Sequence, residues 1–273
     1  MFKKFLLLAA IVLLSCARSV HGNEPAKQLD HQEGWVAYVT PNYFSLLEVM
    51  IASVHAFSTR PIVVVGLNAD IPFSTETYPR LIKKRIDVDL EHRSPYVYKP
   101  QAILASGLDC GIYVDADVIL NHNCDELFKS VALVEECPLN PLHEAEAYVS
   151  LEAMEFLGVS ERSMHYVHAD VVVFSKQCEP FLKEWRDICL NYPWLGVPCY
   201  DETILNVLLW KKGATKHLPT IDPYNAYFCD YLTLDFEEIA QFPYAHWFLF
   251  HGNKDPERGW KMLKSLQEKH QGL

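Results

Sequence analysis

Two carboxylates one residue apart, Asp115 and Asp117, close the apolar run Gly111-Ile112-Tyr113-Val114 and are followed by Val118-Ile119-Leu120. Residues two apart on an extended chain point the same way, so the pair can converge on one hard cation. Mg2+ and Mn2+ take such oxygen ligands. The flanking apolar residues put that cation at the end of a buried strand, where open α/β sheets bind ligands. The structural alternative is a pair of helix caps after a strand. A second pair, Asp87 and Asp89, lies in Arg85-Ile86-Asp87-Val88-Asp89-Leu90. Its alternation predicts a half-exposed strand with both acids in water.

These acids need a scaffold, and the chain is long enough to build one. It has 273 residues, 50% of them hydrophobic and 12% aromatic, with a net charge of −11. That charge argues against a nucleic-acid polymer or an anionic membrane surface as the main partner. It leaves room for a single small phosphate ligand.

Lys3 and Lys4, the apolar run Phe5 to Leu14 and the small or polar residues to Gly22 form the pattern of a secretory signal. The segment 1–22 is therefore read as a signal peptide. The expected location is the secretory lumen (endoplasmic reticulum or Golgi) or outside the cell. Leu13-Leu14-Ser15-Cys16 also resembles a bacterial lipoprotein box, which makes an exported lipoprotein the alternative. No other transmembrane segment is expected. Losing Cys16 with the signal leaves an odd number of the 8 cysteines, hence at least one free thiol. Cys199 and Cys229 are the better disulfide candidates, while Cys178 and Cys189 flank one predicted helix.

Trp35 to Val39 reads as a first strand. Thr40-Pro41 reads as an N-cap with Pro at the first helical position. Leu47, Met50, Ile51 and Val54 make the apolar stripe of the helix that follows. Ile62 to Val65 is a strand buried on both faces. A polar segment with a helix then leads to a strand over Ile86 to Leu90. Pro100 to Leu108 is helical, and Gly111 to Val114 is the strand that delivers the acids. A strand over Val171 to Phe174 and helices over Glu179 to Asn191 and Glu202 to Lys211 follow, the last stopped by Gly213. An aromatic-rich stretch, Phe236 to Phe250, precedes a terminal helix over Trp260 to His270. This alternation predicts an α/β fold with a mainly parallel sheet, in one continuous domain over 33–270.

Several landmarks then occur in a fixed order. Tyr98-Lys99, a helical spacer, Gly111 to Leu120 and Asp125-Glu126-Leu127-Phe128 resemble the central motif of glycosyltransferase family 8. Val39-Thr40-Pro41-Asn42-Tyr43 is similar to that family's nucleotide-binding N-terminus. Asp201-Glu202-Thr203-Ile204-Leu205-Asn206 resembles its Asp-Gln-x-x-Leu-Asn segment. His251-Gly252-Asn253-Lys254 with Trp260 resembles its final His, Gly and Lys-Pro-Trp motif.

The resemblance implies a single GT-A type domain whose mainly parallel, mixed sheet is flanked by helices. It implies transfer of a hexose from a nucleotide-diphosphate sugar, with uridine the favoured base, and retention of configuration. A divalent cation would stabilise charge on the leaving diphosphate. The cation would be held by Asp115, Asp117 and His251, whose imidazole suits Mn2+ better than Mg2+. Lys254 would sit on the diphosphate as a point charge, and Lys99, Ala116 and Gly252 would line the donor. Thr40, Asn42 and Tyr43 would line the nucleoside pocket, Tyr43 stacking on the base. Asp201, Glu202 and Asp170 are the candidate catalytic residues on the sugar and acceptor side. Asp201 and Glu202 also fit a helix cap with an acidic first turn. The acceptor is a glycan, protein or lipid.

The departures from the pattern are specific. His168-Ala169-Asp170 replaces Asn-Ser-Gly, Glu202 stands where Gln is usual, and Lys254-Asp255-Pro256 replaces Lys-Pro-Trp. His165 and His168, three apart, read as surface or packing residues. Two alternatives stay open. A haloacid-dehalogenase-type phosphatase would use Asp115 as nucleophile and Asp117 as general acid, but it needs a Gly-Asp metal segment that the chain lacks. A lumenal sugar- or nucleotide-binding protein without chemistry is the other.

Overall fold

The computed structural model describes residues 33–122, 124–143, 150–163, 165–192, 195, 200–218, 227–228, 249–250, 252 and 254–271. The predicted signal segment 1–22, His251, Cys199, Cys229 and nearly all of the aromatic stretch 236–250 lie outside the described residues. No helix among the described residues is long and apolar enough to cross a membrane.

A five-stranded sheet carries the fold, in the order β3-β2-β1-β4-β8. β1 (Glu33–Val39), β2 (Ile62–Leu67), β3 (Leu81–Ile86) and β4 (Cys110–Val114) pair in parallel. β8 (Val171–Ser175) closes one edge antiparallel to β4, with Tyr113 opposite Val172 and Val114 opposite Val171. The sheet is thus mixed but mainly parallel, as the sequence pattern predicts. β2 is buried along its whole length, the mark of a strand covered on both faces.

Helices cover the sheet. α1 (Phe44–Phe57) buries Leu47, Met50, Ile51 and Val54, the predicted stripe. α2 (Lys99–Ser106) packs on β1 and β2 and against α4 (Glu179–Asn191). α3 (Leu151–Leu157) and α4 both pack on α5 (Tyr200–Lys211). α6 (Pro256–Gln271) lies along α1. The Leu-Phe turn serves this core: Leu127 is buried, and Phe128 meets Trp35 edge-on at 5.0 Å.

The strand predicted over Ile86 to Leu90 lies earlier, over Leu81–Ile86, and 68–80 is turns with no helix. Among the described residues β3 is an edge strand of the sheet, where charged residues are tolerated and blunt the edge. Lys83, Lys84 and Arg85 occupy it, so its composition hides the strand. Asp87 and Asp89 follow it in loop, and Asp87 pairs with Arg85.

Two short pairings set the site. β5 (Ile119–Leu120) begins just after Asp117, and β10 (Leu249–Phe250) pairs antiparallel to it, Leu249 opposite Leu120. That pairing returns the chain's last quarter to the end of β4. β9 (Tyr227–Phe228) adds to β10 in parallel. β6 (Leu142–His143) and β7 (Tyr166–Val167) form a separate antiparallel pair. The Ser53 hydroxyl on α1 accepts the Leu120 N–H at 2.9 Å and pins β5 to the core.

Candidate functional site

β1 and β4 are parallel neighbours, while the chain leaves β1 for β2 on the other side. Such a reversal opens a crevice at the strands' carboxyl ends. The ends of β1 and β4 carry Thr40 to Tyr43 and Asp115 to Asp117.

At the β1 end, Thr40 is extended and buried, and its side chain makes no cap bond. The expected N-cap is therefore only a backbone one: the Thr40 carbonyl accepts the Tyr43 N–H at 3.0 Å. Pro41–Tyr43 forms a single 3-10 turn ahead of α1. Asn42 and Tyr43 are exposed.

At the β4 end the acids separate in environment. Asp115 meets the Lys99 ammonium at 3.2 Å and accepts the Tyr113 hydroxyl, two residues back on the same side of the strand. Asp117 is buried and pairs with Lys254, delivered by the segment after β10. Ala116 lies between them, partly exposed. Gly252, at φ 94°, takes a left-handed turn open to glycine on the way to Lys254.

Lys99 is buried rather than presented to solvent. Its ammonium bonds Asp201 at 2.8 Å, Asp115 at 3.2 Å and the Ala169 carbonyl at 2.8 Å. Burial alone would lower its pKa, but Asp115 and Asp201 outweigh it and hold the group well above its ordinary value. Burial pushes the Asp201 carboxyl up despite that ammonium. Tyr38 stacks on Tyr113 with centroids 5.9 Å apart, and burial drives both phenols well above their usual range. Lys254 is raised as well, its burial outweighed by Asp117.

Glu202 sits one residue after Asp201 in the first turn of α5. It accepts the Tyr166 hydroxyl at 2.7 Å and the Ala169 N–H at 3.0 Å, and faces His168 Nδ1 at 3.3 Å. Burial works to raise this carboxyl, but the bonds from His168, Ala169 and Tyr166 hold it down at about 2. Asp170 is buried beside it, and its carbonyl accepts the Asp115 N–H at 3.0 Å. His165 and His168 do not share a site: His165 lies against His217, with ring centroids 4.8 Å apart.

The fold thus brings together Lys99, Asp115, Asp117, Asp201 and Lys254. Tyr113, Tyr38 and Tyr166 are site residues that the motif reading passed over. Tyr113 was findable, because a phenol two positions before Asp115 on a strand must share its side. Tyr166 carried no such signal, since its partner lies 36 residues on.

Among the described residues no three His, Cys, Asp or Glu side chains cluster to hold a metal. Two carboxylates, Asp115 and Asp117, do stand at the strand end, with Asp201 behind them across the Lys99 ammonium. Such a set fits a cation that completes its shell from substrate phosphates.

Comparison with known proteins agrees with this geometry. No family model and no curated protein matches the chain. Solved structures do. The galactosyltransferase LgtC, in complex with donor and acceptor sugar analogs, is 16% identical with a TM-score of 0.55. The match covers 85% of this chain and 95% of that one. An active-site mutant of LgtC matches at 14% identity, a TM-score of 0.53 and the same coverage. The bifunctional glycosyltransferase WbbM is 16% identical with a TM-score of 0.58, over 86% of this chain and 50% of that one. The chain has the GT-A glycosyltransferase fold. That fold confirms the α/β architecture expected of the family 8 resemblance.

Proposed function

We propose that the protein is a metal-dependent glycosyltransferase that moves a hexose from a nucleotide-diphosphate sugar to an acceptor, with retention. One observation carries the reading. Asp115 and Asp117 end β4 at the crevice of a GT-A fold, and the β5–β10 pairing brings Lys254 onto Asp117. An oxygen pair with a mobile-stemmed cation beside it suits a diphosphate and its metal. Asp115 and Asp117, joined by His251, would hold Mn2+ or Mg2+, which when bound neutralises charge on the diphosphate.

The chain's own residues do the rest. Tyr43 offers an exposed ring to the base, with Thr40 and Asn42 beside it. Lys254 binds the diphosphate once released from Asp117. Lys99 fixes Asp115 and Asp201 against each other. Ala116 and Gly252 line the donor. Asp201 and Asp170 face the sugar and acceptor side. Uridine is the favoured base, and a lumenal location supplies such donors.

The phosphatase alternative expects its Asp-x-Asp after the domain's first strand, whereas here the pair follows β4. The deciding experiment incubates the signal-free protein with a panel of nucleotide sugars and Mn2+ and measures nucleoside diphosphate release. Release is expected, and Asp117→Asn is expected to cut it by about a hundredfold or more. Binding without release identifies a non-enzyme, and phosphate release from aryl phosphates sinks the transferase reading.

A further inference from the structure

The segment Tyr166 to Asp170 runs along α5 and ends at the donor site. Glu202 holds three of its groups: the Tyr166 hydroxyl at 2.7 Å, the Ala169 N–H at 3.0 Å and His168 Nδ1 at 3.3 Å. One turn later on α5, Asn206 takes both backbone groups of Val167, each at 2.8 Å. Three of these bonds satisfy backbone groups, the Val167 N–H and carbonyl and the Ala169 N–H. Two carbonyls of the same segment then reach Lys99 and the backbone of Asp115. Ala169 receives the Lys99 ammonium at 2.8 Å, and Asp170 receives the Asp115 N–H at 3.0 Å. A reacting carboxylate must turn an oxygen to the sugar. Both Glu202 oxygens instead face Tyr166, His168 and Ala169, and the side chain is only 14% exposed.

Resting on the glycosyltransferase reading, we propose that Glu202 is a positioning residue and not a reacting one. It clamps the Tyr166–Asp170 segment, and through the Ala169 and Asp170 carbonyls it fixes Lys99 and Asp115 where the donor is held. Glutamine can keep most of this clamp. Its oxygen accepts from Ala169, and its amide donates to the Tyr166 oxygen.

The test compares wild type with Glu202→Ala, Glu202→Gln and Tyr166→Phe. It measures Mn2+-dependent nucleoside diphosphate release from the nucleotide sugar that wild type cleaves fastest. Calorimetry of uridine diphosphate with Mn2+ is the second arm. Glu202→Ala is expected to raise the Mn2+ concentration for half-maximal rate by roughly tenfold to a hundredfold. Glu202→Gln is expected to bring it back within roughly fivefold of wild type, and Tyr166→Phe to shift it in the same sense by less.

If Gln is as inactive as Ala while the Mn2+ requirement stays put in both, Glu202 reacts directly and the positioning role is overturned. Should wild type cleave no nucleotide sugar, the transferase reading fails on its own. The clamp is then judged by calorimetry, where weaker binding by Ala than by Gln supports it and equal binding overturns it. If the Ala variant does not fold, Tyr166→Phe decides, and an unshifted Mn2+ requirement overturns the proposal.

Discussion

Replacing Lys99 by Met leaves Asp201 buried opposite Asp115 without its partner ammonium. Breaking a buried ion pair from one side costs about 3–5 kcal/mol, so urea denaturation at pH 8 should show a loss of that size. The loss should shrink at pH 4. Burial already raises the Asp201 carboxyl, and without Lys99 it can take a proton instead of holding a buried charge.

Glu202 is shifted the other way from Asp201. Its folded pKa of about 2 lies below the ordinary 4.5, so its stabilising contribution is complete above 4.5. That contribution fades as pH falls toward 2, and linkage puts it at about 3 kcal/mol. Acid titration of stability should therefore lose slope between pH 4.5 and 2 in Glu202→Gln relative to wild type.

At this scale the sequence was informative about residue types and silent about partners. Asp115, Asp117 and Lys254 were picked out by spacing and resemblance, and they do meet. Lys99 was read as a donor contact, whereas its three bonds go to Asp115, Asp201 and Ala169. A lysine's burial depends on acids and carbonyls distant in sequence, and local spacing does not carry that.

Among the elements, β1 and β4 approach so closely that Gly111 has no space for a side chain. A Cβ there would lie 2.4 Å from the Gly34 carbonyl oxygen and 3.0 Å from the Phe174 ring. Gly111→Ala should therefore spread the β1, β4 and β8 strands that frame the crevice. A loss of about 1–3 kcal/mol in thermal or chemical denaturation is the expected result.

Elements with a strong period were legible. α1 shows its stripe at three- and four-residue spacing, and β2 its unbroken apolar run. β3 was displaced because its Lys83, Lys84 and Arg85 belong to an edge strand, where burial no longer disciplines the pattern. Both lysines do structural work there. Lys83 donates to the Phe73 carbonyl at 2.8 Å, and Lys84 to that of Ala105 at 3.0 Å. β5 and β10 are each two residues long. No periodicity exists in so short a run, although this pairing decides where Lys254 goes.

Over the whole molecule, the fold joins residues from β1, β4, α2, α5 and the segment before α6 at one crevice. The order of motifs along the chain was visible in the sequence, but their convergence follows from topology. β8 runs against β4, so the chain entering β8 meets the chain leaving β4. The contact between Lys254 and Asp117 carries a consequence for how ligands load. On the proposed function, an ion arriving alone must evict an ammonium from its carboxylate, and it gains little by the exchange. Arriving with a diphosphate, it finds that ammonium a new anion to hold. Each of the two ligands should then tighten the other by the same factor. Titrating Mn2+ with and without uridine diphosphate should reveal this mutual gain, and Lys254→Met should erase most of it by letting the ion in unaccompanied.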